Sequence, residues 1–172
     1  MPPWYLCSLH VPARILIRTF NKHKLMQLNT YTKENQIDGL TREKVGKFLE
    51  KHLEQYGDPL QQISLAISYA LGENNKPGGA LIVGKDSETG EIIGAVVVNA
   101  TGMEGYIPEN ILVYIATHNN YRGRGLGKEL MQEAIASSKG SMALHCEPDN
   151  PARKLYEKLG FTSKYLEMRL SK

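Results

Sequence analysis

Only two of the 172 residues are cysteine, Cys7 and Cys146, too few for the disulfide framework of a small secreted domain. No Cys/His cluster has metal-ligand spacing either, so a structural metal site is not expected. A reducing, cytoplasmic setting is the default. No apolar run approaches the ~20 residues that cross a bilayer, which excludes an integral membrane helix. Internal repeats, linkers and low-complexity tracts are also missing, and a chain of this length with 41% hydrophobic and 23% charged residues fits a single soluble domain with a sizeable core. Acidic residues are absent from positions 1–25, which hold Arg14, Arg18, Lys22 and Lys24. Of the 21 Lys and Arg, the remaining 17 face 18 Asp and Glu, a net of −1 that argues against a nucleic-acid partner. The 1–25 stretch, with Pro2, Pro3 and Pro12, is a poor match to a secretory signal. It reads as an appendage with no catalytic part, leaving 26–172 as the domain.

From Met26 the chain alternates as a first strand. Thr41 reads as an N-cap, followed by Val45, Phe48, Leu49, His52, Leu53 and Tyr56 on one helical stripe that Gly57 ends. His52 belongs to that stripe as a packed or rim histidine. Asp58 and Pro59 read as N-cap and first turn of a second helix, carried by Leu60, Ile63, Ile67, Ala70 and Leu71. Ala80–Val83 and Ile92–Val98 are aliphatic on both faces and flank a turn at Lys85–Gly90, which implies a hairpin in a sheet covered by helices on both sides. Ile111–Ala116 is a further strand. Leu126, Leu130 and Ala134 mark the buried face of a helix that ends by Gly140. Ser141–Cys146 reads as a strand, with Cys146 a small core residue rather than a nucleophile. Asp149 or Asn150 then caps a helix packed through Ala152, Leu155 and Leu159, and Phe161–Leu170 should return as a final strand.

The chemistry-bearing stretch is Tyr121-Arg122-Gly123-Arg124-Gly125-Leu126-Gly127-Lys128, between the Ile111–Ala116 strand and the helix that opens near Gly125. Alternate glycines let the backbone turn sharply and approach a bound group, and a helix start adds unpaired amides and positive potential. That corner suits a phosphate, although a tight turn with solvated arginines would use the same residues. A Walker-type loop fails, because Arg122 stands where it needs glycine and Glu129 where it needs Ser or Thr. A dinucleotide fingerprint from Gly123 would need glycine at Lys128, which disfavours a nucleotide-binding oxidoreductase.

The remaining pattern, Arg/Gln-x-x-Gly-x-Gly/Ala at Arg122, Gly125 and Gly127, resembles the GCN5-related N-acetyltransferase (GNAT) superfamily. A second segment, Asp149-Asn150-Pro151-Ala152-Arg153-Lys154-Leu155-Tyr156-Glu157-Lys158-Leu159-Gly160-Phe161, is similar to the family's Asn-containing helix ending in Tyr-x-x-x-Gly-Phe. The resemblance covers about residues 110–165. It implies an α/β fold, one GNAT-type domain whose central mixed, twisted sheet of about six to seven strands is flanked by about four helices. It implies acetyl-CoA as acetyl donor, with the pantetheine arm along Ile115, Ala116 and Thr117. The pyrophosphate would sit on the amides of Gly123, Arg124, Gly125, Leu126, Gly127 and Lys128, beside Arg122, and Asn150 would bind the coenzyme. Tyr156 matches the tyrosine assigned as the acid that protonates the departing thiolate. Ile111 departs from the family, where some relatives carry a glutamate base; Glu109, His118 and Glu147 are the nearby candidates. The implied acceptor is an amine of a small molecule or peptide, and relatives often pair as homodimers. The competing reading is a non-catalytic acyl-CoA-binding sensor or scaffold.

Overall fold

The computed structural model describes residues 25–170; Cys7 and all of the expected 1–25 appendage but its last residue lie outside them. Five strands form one sheet in the order β1-β2-β3-β4-β5. β1 (Met26–Tyr31), β2 (Gly79–Asp86), β3 (Ile92–Ala100) and β4 (Asn110–Thr117) are antiparallel neighbours, and β5 (Met142–Leu144) runs parallel to β4. Helices α1 (Gly39–Leu53) and α2 (Leu60–Ala70) lie between β1 and β2 in the chain; α3 (Leu126–Ser137) joins β4 to β5, and α4 (Arg153–Lys158) comes after β5.

The aliphatic runs of β2 and β3 are buried on both faces because each face has its own cover. Leu81, Val83, Ala95 and Val97 pack with Val45, Phe48, Leu49, Ile63 and Ile67 of α1 and α2. The intervening Ile82, Val96 and Val98 pack with Leu126, Leu130, Met131 and Ala134 of α3. The two-residue period of the strands thus sorts one hydrophobic run into two cores.

Both early helices start differently from the sequence expectation. Asp38, not Thr41, is the N-cap of α1, its carboxylate accepting from the Thr41 N–H at 2.9 Å. The apolar stripe begins only at Val45, so periodicity alone places the start one turn late. Asp58 does not cap α2. The Leu60 N–H donates to Glu50 of α1 at 3.1 Å, and Asp58 accepts from the Tyr114 hydroxyl of β4 at 2.6 Å. The β2–β3 hairpin is as expected: Asp86 accepts from the Glu88 and Thr89 N–H groups, both at 2.9 Å.

Among the described residues the sheet has five strands rather than six or seven. Ser141–Cys146 contributes only Met142–Leu144, and Phe161–Leu170 forms no ladder. A three-residue β5 offers too short an edge to template a ten-residue strand. Leu166, Met168 and Leu170 are exposed, and Glu167 bonds sideways to Arg169 and lies 3.9 Å from His145. Among the described residues no helix is long and apolar enough to cross a membrane.

Leu49 on the inner face of α1 is wholly buried, whereas Leu65 on α2 is 58% exposed. Leu49→Ala should therefore lower unfolding free energy by ~2–5 kcal/mol, and Leu65→Ala by no more than ~0.5 kcal/mol, as measured by urea denaturation.

Candidate functional site

β4 and β5 pair only through Asn110↔Met142, Ile111↔Ala143 and Leu112↔Leu144. Beyond Leu112 the β5-side edge of β4 is open. The register of β4 against β3 slips at the same place, from Val98↔Leu112 to Val97↔Tyr114, leaving Val113 as an extra residue. Such a bulge increases local twist and reverses the facing of the residues beyond it. Leu112 accordingly packs on the α3 side and Tyr114 on the α1–α2 side, although they are two apart.

Backbone direction along the open edge is set by the ladder. The His118 N–H donates to the Ile93 carbonyl of β3 at 2.9 Å, and inward and outward groups alternate along an antiparallel strand. Ala116 therefore spends its N–H and C=O on β3. Ile115 and Thr117 turn theirs to the open edge. Of the three residues matched to the pantetheine arm, these two have backbone groups to offer.

The edge leads into a one-turn 3-10 helix (Asn119–Tyr121) and then the glycine loop. Gly123 (φ 77°) and Gly125 (φ 88°) adopt the left-handed backbone that side chains disfavour. Gly127 is there for a different reason: a Cβ on it would stand 3.3 Å from Leu155 of α4. Among the described residues the N–H groups of Gly123, Arg124, Gly125, Leu126 and Gly127 meet no acceptor, whereas the Lys128 N–H donates to the Gly125 carbonyl at 3.0 Å. Five open amides at the positive end of a twelve-residue helix make a cradle for an anion.

Arg122 and Arg124 do different work around that cradle. Arg122 reaches back to α1, donating to the His52 carbonyl at 3.0 Å and lying 3.4 Å from the Glu54 carboxylate. Glu54 has positive φ (54°) and accepts from the Asn119 side-chain amide at 2.9 Å. The other end of Asn119 lies 3.1 Å from His52 Nδ1, and the His52 ring sits between Phe48 and His118. His52 and Asn119 thus brace the cradle against the end of α1, a role that sequence signals only by placing His52 on the apolar stripe. Burial lowers the His52 pKa; the neighbouring His118 and the charges of Lys51 and Arg122 push the same way, against the Asn119 bond. Arg124 lies over the Tyr121 ring at 5.2 Å, which leaves its charge beside the open amides.

Tyr156 projects from α4 into the α3-side core and is buried. Desolvation, and secondarily the nearby Cys146 thiol, push its pKa up to about 12, so the phenol keeps its proton at neutral pH. Cys146 is half-buried, with its own thiol pKa raised by burial, and its S–H donates to the Glu147 carbonyl at 3.4 Å. It is no ready nucleophile. The Asn150 side-chain oxygen accepts from the Ala152 N–H at 2.9 Å, which shapes the entry to α4.

Two of the three base candidates are engaged elsewhere. The Glu109 carboxylate accepts from the Ser141 N–H at 2.6 Å, and this bond with others to backbone lowers its pKa. Glu109 therefore pins the far end of β4. His118 Nδ1 accepts from the Asn120 N–H at 3.2 Å as the cap of the 3-10 turn. Glu147 is exposed in the loop that follows β5.

A family model described as an acetyltransferase (GNAT) domain matches residues 77–163, slightly more than half the chain and reaching upstream of the two motifs. Solved structures share the fold. An aminoglycoside N-acetyltransferase in complex with CoA is 18% identical with a TM-score of 0.61, over 87% of this chain and 97% of that one. A ribosomal-protein-alanine N-acetyltransferase from Brucella melitensis biovar Abortus 2308 is 16% identical with a TM-score of 0.57, over 85% and 99%. A transcriptional regulator from Bacillus halodurans C-125 is 21% identical with a TM-score of 0.58, over 84% and 99%. No curated protein matches the chain in sequence.

The brace carries a pH signature. Because the folded-state pKa of His52 is depressed, its contribution to stability is complete above the unfolded value of about 6.5 and is lost as pH falls below it. The urea midpoint of the parent should drop more between pH 7.5 and 5.5 than that of His52→Gln, which has no such proton to refuse. Equal slopes would detach His52 from the effect.

Proposed function

Because the chain belongs to the acetyltransferase (GNAT) family, we propose that it is an acetyl-CoA-dependent N-acetyltransferase acting by direct transfer on an amine of a small molecule or peptide. The observation that carries this reading is the continuity of the open β4 edge with the amide cradle. Together they fit the two halves of the coenzyme. Ile115 and Thr117 offer backbone groups to an amide-bearing arm, as one strand offers them to another. The amides of Gly123 to Gly127, with the Arg124 charge beside them, suit a diphosphate; Arg122 contributes by holding the loop in place.

Acetyl-CoA supplies the activated acetyl group as a thioester. The residues of this chain supply orientation and protons. The reaction moves an acetyl group from sulfur to nitrogen, so the amine must lose a proton and the sulfur must gain one. Tyr156 holds a proton at its hydroxyl through the neutral range. That protonated phenol can donate a hydrogen bond to the developing thiolate, a far better acceptor than the neutral thioester sulfur, and so stabilise the leaving group until it gains a proton. Asn150, its oxygen committed to Ala152, retains its amide donor for the coenzyme. The two cysteines of the chain are consistent with a cytoplasmic setting.

One observation favours the second reading, a non-catalytic acyl-CoA-binding module. Ile111 replaces the glutamate of some relatives, and Glu109 and His118 are both engaged in backbone bonds. Thiol release from acetyl-CoA across a panel of amines separates the two: saturable coenzyme binding with no turnover on any amine would favour the binder.

Gly125→Glu should weaken coenzyme binding roughly 100-fold or more, since it puts a side chain and a negative charge at a left-handed position of the cradle. Unchanged affinity by calorimetry would overturn the assignment of this loop. Tyr156→Phe should lower kcat roughly 10- to 100-fold while the coenzyme Kd stays within about twofold. Parent-like turnover would remove Tyr156 from the chemistry.

A further inference from the structure

The bulge at Val113 turns Tyr114 away from the α3 face and toward α2. There its hydroxyl, on an otherwise buried side chain, donates to Asp58 at 2.6 Å. Asp58 lies just ahead of α2, where a carboxylate is ordinarily spent as a helix cap. This one is not: Glu50 serves the first amide of α2 instead. Asp58 is exposed, and among the described residues no lysine or arginine approaches it within ion-pair distance. Arg169 feels its field but is itself bonded to Glu167. The neighbouring acid Glu54 is satisfied by Arg122 and Asn119. The result is a carboxylate held by one hydroxyl, with lone pairs to spare. It is one tyrosine side chain away from the strand position next to Ile115.

We propose that Asp58, held by Tyr114, seats the ammonium group of a cationic acceptor, an alkyl diamine, on the α1–α2 side of the sheet. The inference rests on the acetyltransferase reading and names the acceptor class for it. The bulge separates the two ligands: the amide cradle opens at the start of α3, and Tyr114 points to the other face. A diamine can place one ammonium on Asp58 and leave its second nitrogen free to reach the open β4 edge. A monoamine can do only one of these. The hydroxyl donor orients the carboxylate and occupies only one of its lone pairs, so the others can accept from an ammonium group. The Tyr114 pKa is driven upward by burial and by Asp58, as a committed donor requires.

The test is calorimetric and needs no turnover. Putrescine and butylamine are titrated into the full chain saturated with CoA, for the parent, Asp58→Asn and Tyr114→Phe. The parent should bind putrescine roughly tenfold or more tighter than butylamine. Asp58→Asn should erase that preference while keeping parent-like CoA affinity, and Tyr114→Phe should reduce it by a smaller factor. Equal affinity of the parent for the two amines, or an undiminished putrescine preference in Asp58→Asn, overturns the proposal. So does a parallel loss of CoA binding in Asp58→Asn, which would mark a merely structural role. If the parent fails to bind CoA, the acetyltransferase reading falls instead; the same titrations on the cofactor-free protein then still read Asp58.

Discussion

The molecule depends on one interrupted ladder. Parallel strands stay paired only while their backbones keep the spacing of a hydrogen bond, and β4 and β5 do so for three residues. Past Leu112 the two strands go separate ways, and the bulge at Val113 adds twist at the point of parting. One cost is backbone left without a strand partner at Ile115 and Thr117. What the cost secures is a strip of donors and acceptors inside a folded domain. Continuous pairing would bury that strip in the sheet and bring α3 and α4 together over it. The open edge arises from this short pairing, and the amide cradle follows it in the chain at the start of α3.

A divergence of this kind has to be held, and the holding is distributed. Glu109 and Asn110 tie the closed end of β4 to the turn before β5, through bonds to Ser141 and Lys139. The open end is held by the Arg122, Glu54, Asn119 and His52 group, which fastens the glycine loop to the end of α1. The positive φ of Glu54 belongs to the same arrangement: a conformation that costs a side-chain-bearing residue something is retained where two partners fix it. Gly127 completes the frame by letting Leu155 come close to α3.

How far the sequence reveals this depends on the length of the pattern each feature leaves. The aliphatic runs of β2 and β3 and the stripe from Val45 to Leu53 extend over two turns or more, and the elements they predict are present. The glycine loop and the Tyr156 helix are legible because motif and turn chemistry coincide there. Short or long-range determinants are not. Asp38 caps α1 ahead of any apolar repeat. Phe161–Leu170 alternates like a strand, yet strand formation requires an edge to pair with, and β5 offers three residues. The bulge leaves no mark in Ile111–Thr117, so strict alternation would put Leu112 and Tyr114 on one face. The bond from Tyr114 to Asp58 joins positions 56 apart in the chain, beyond the reach of any local pattern. Arg122 fits the motif, but its partner His52 on α1 is 70 positions away, farther still.

The two-sided core has a consequence for how such a protein can diversify. The α1–α2 cluster and the α3–α4 cluster share the sheet but few side chains. Substitutions in the former can accumulate and repack α1 and α2 while the latter keeps α3 and the amide cradle at its N-terminus in place. The tether through Arg122 marks the limit of that freedom. Lineages that remodel the end of α1 must either preserve its carbonyl for the arginine or evolve another anchor for the loop.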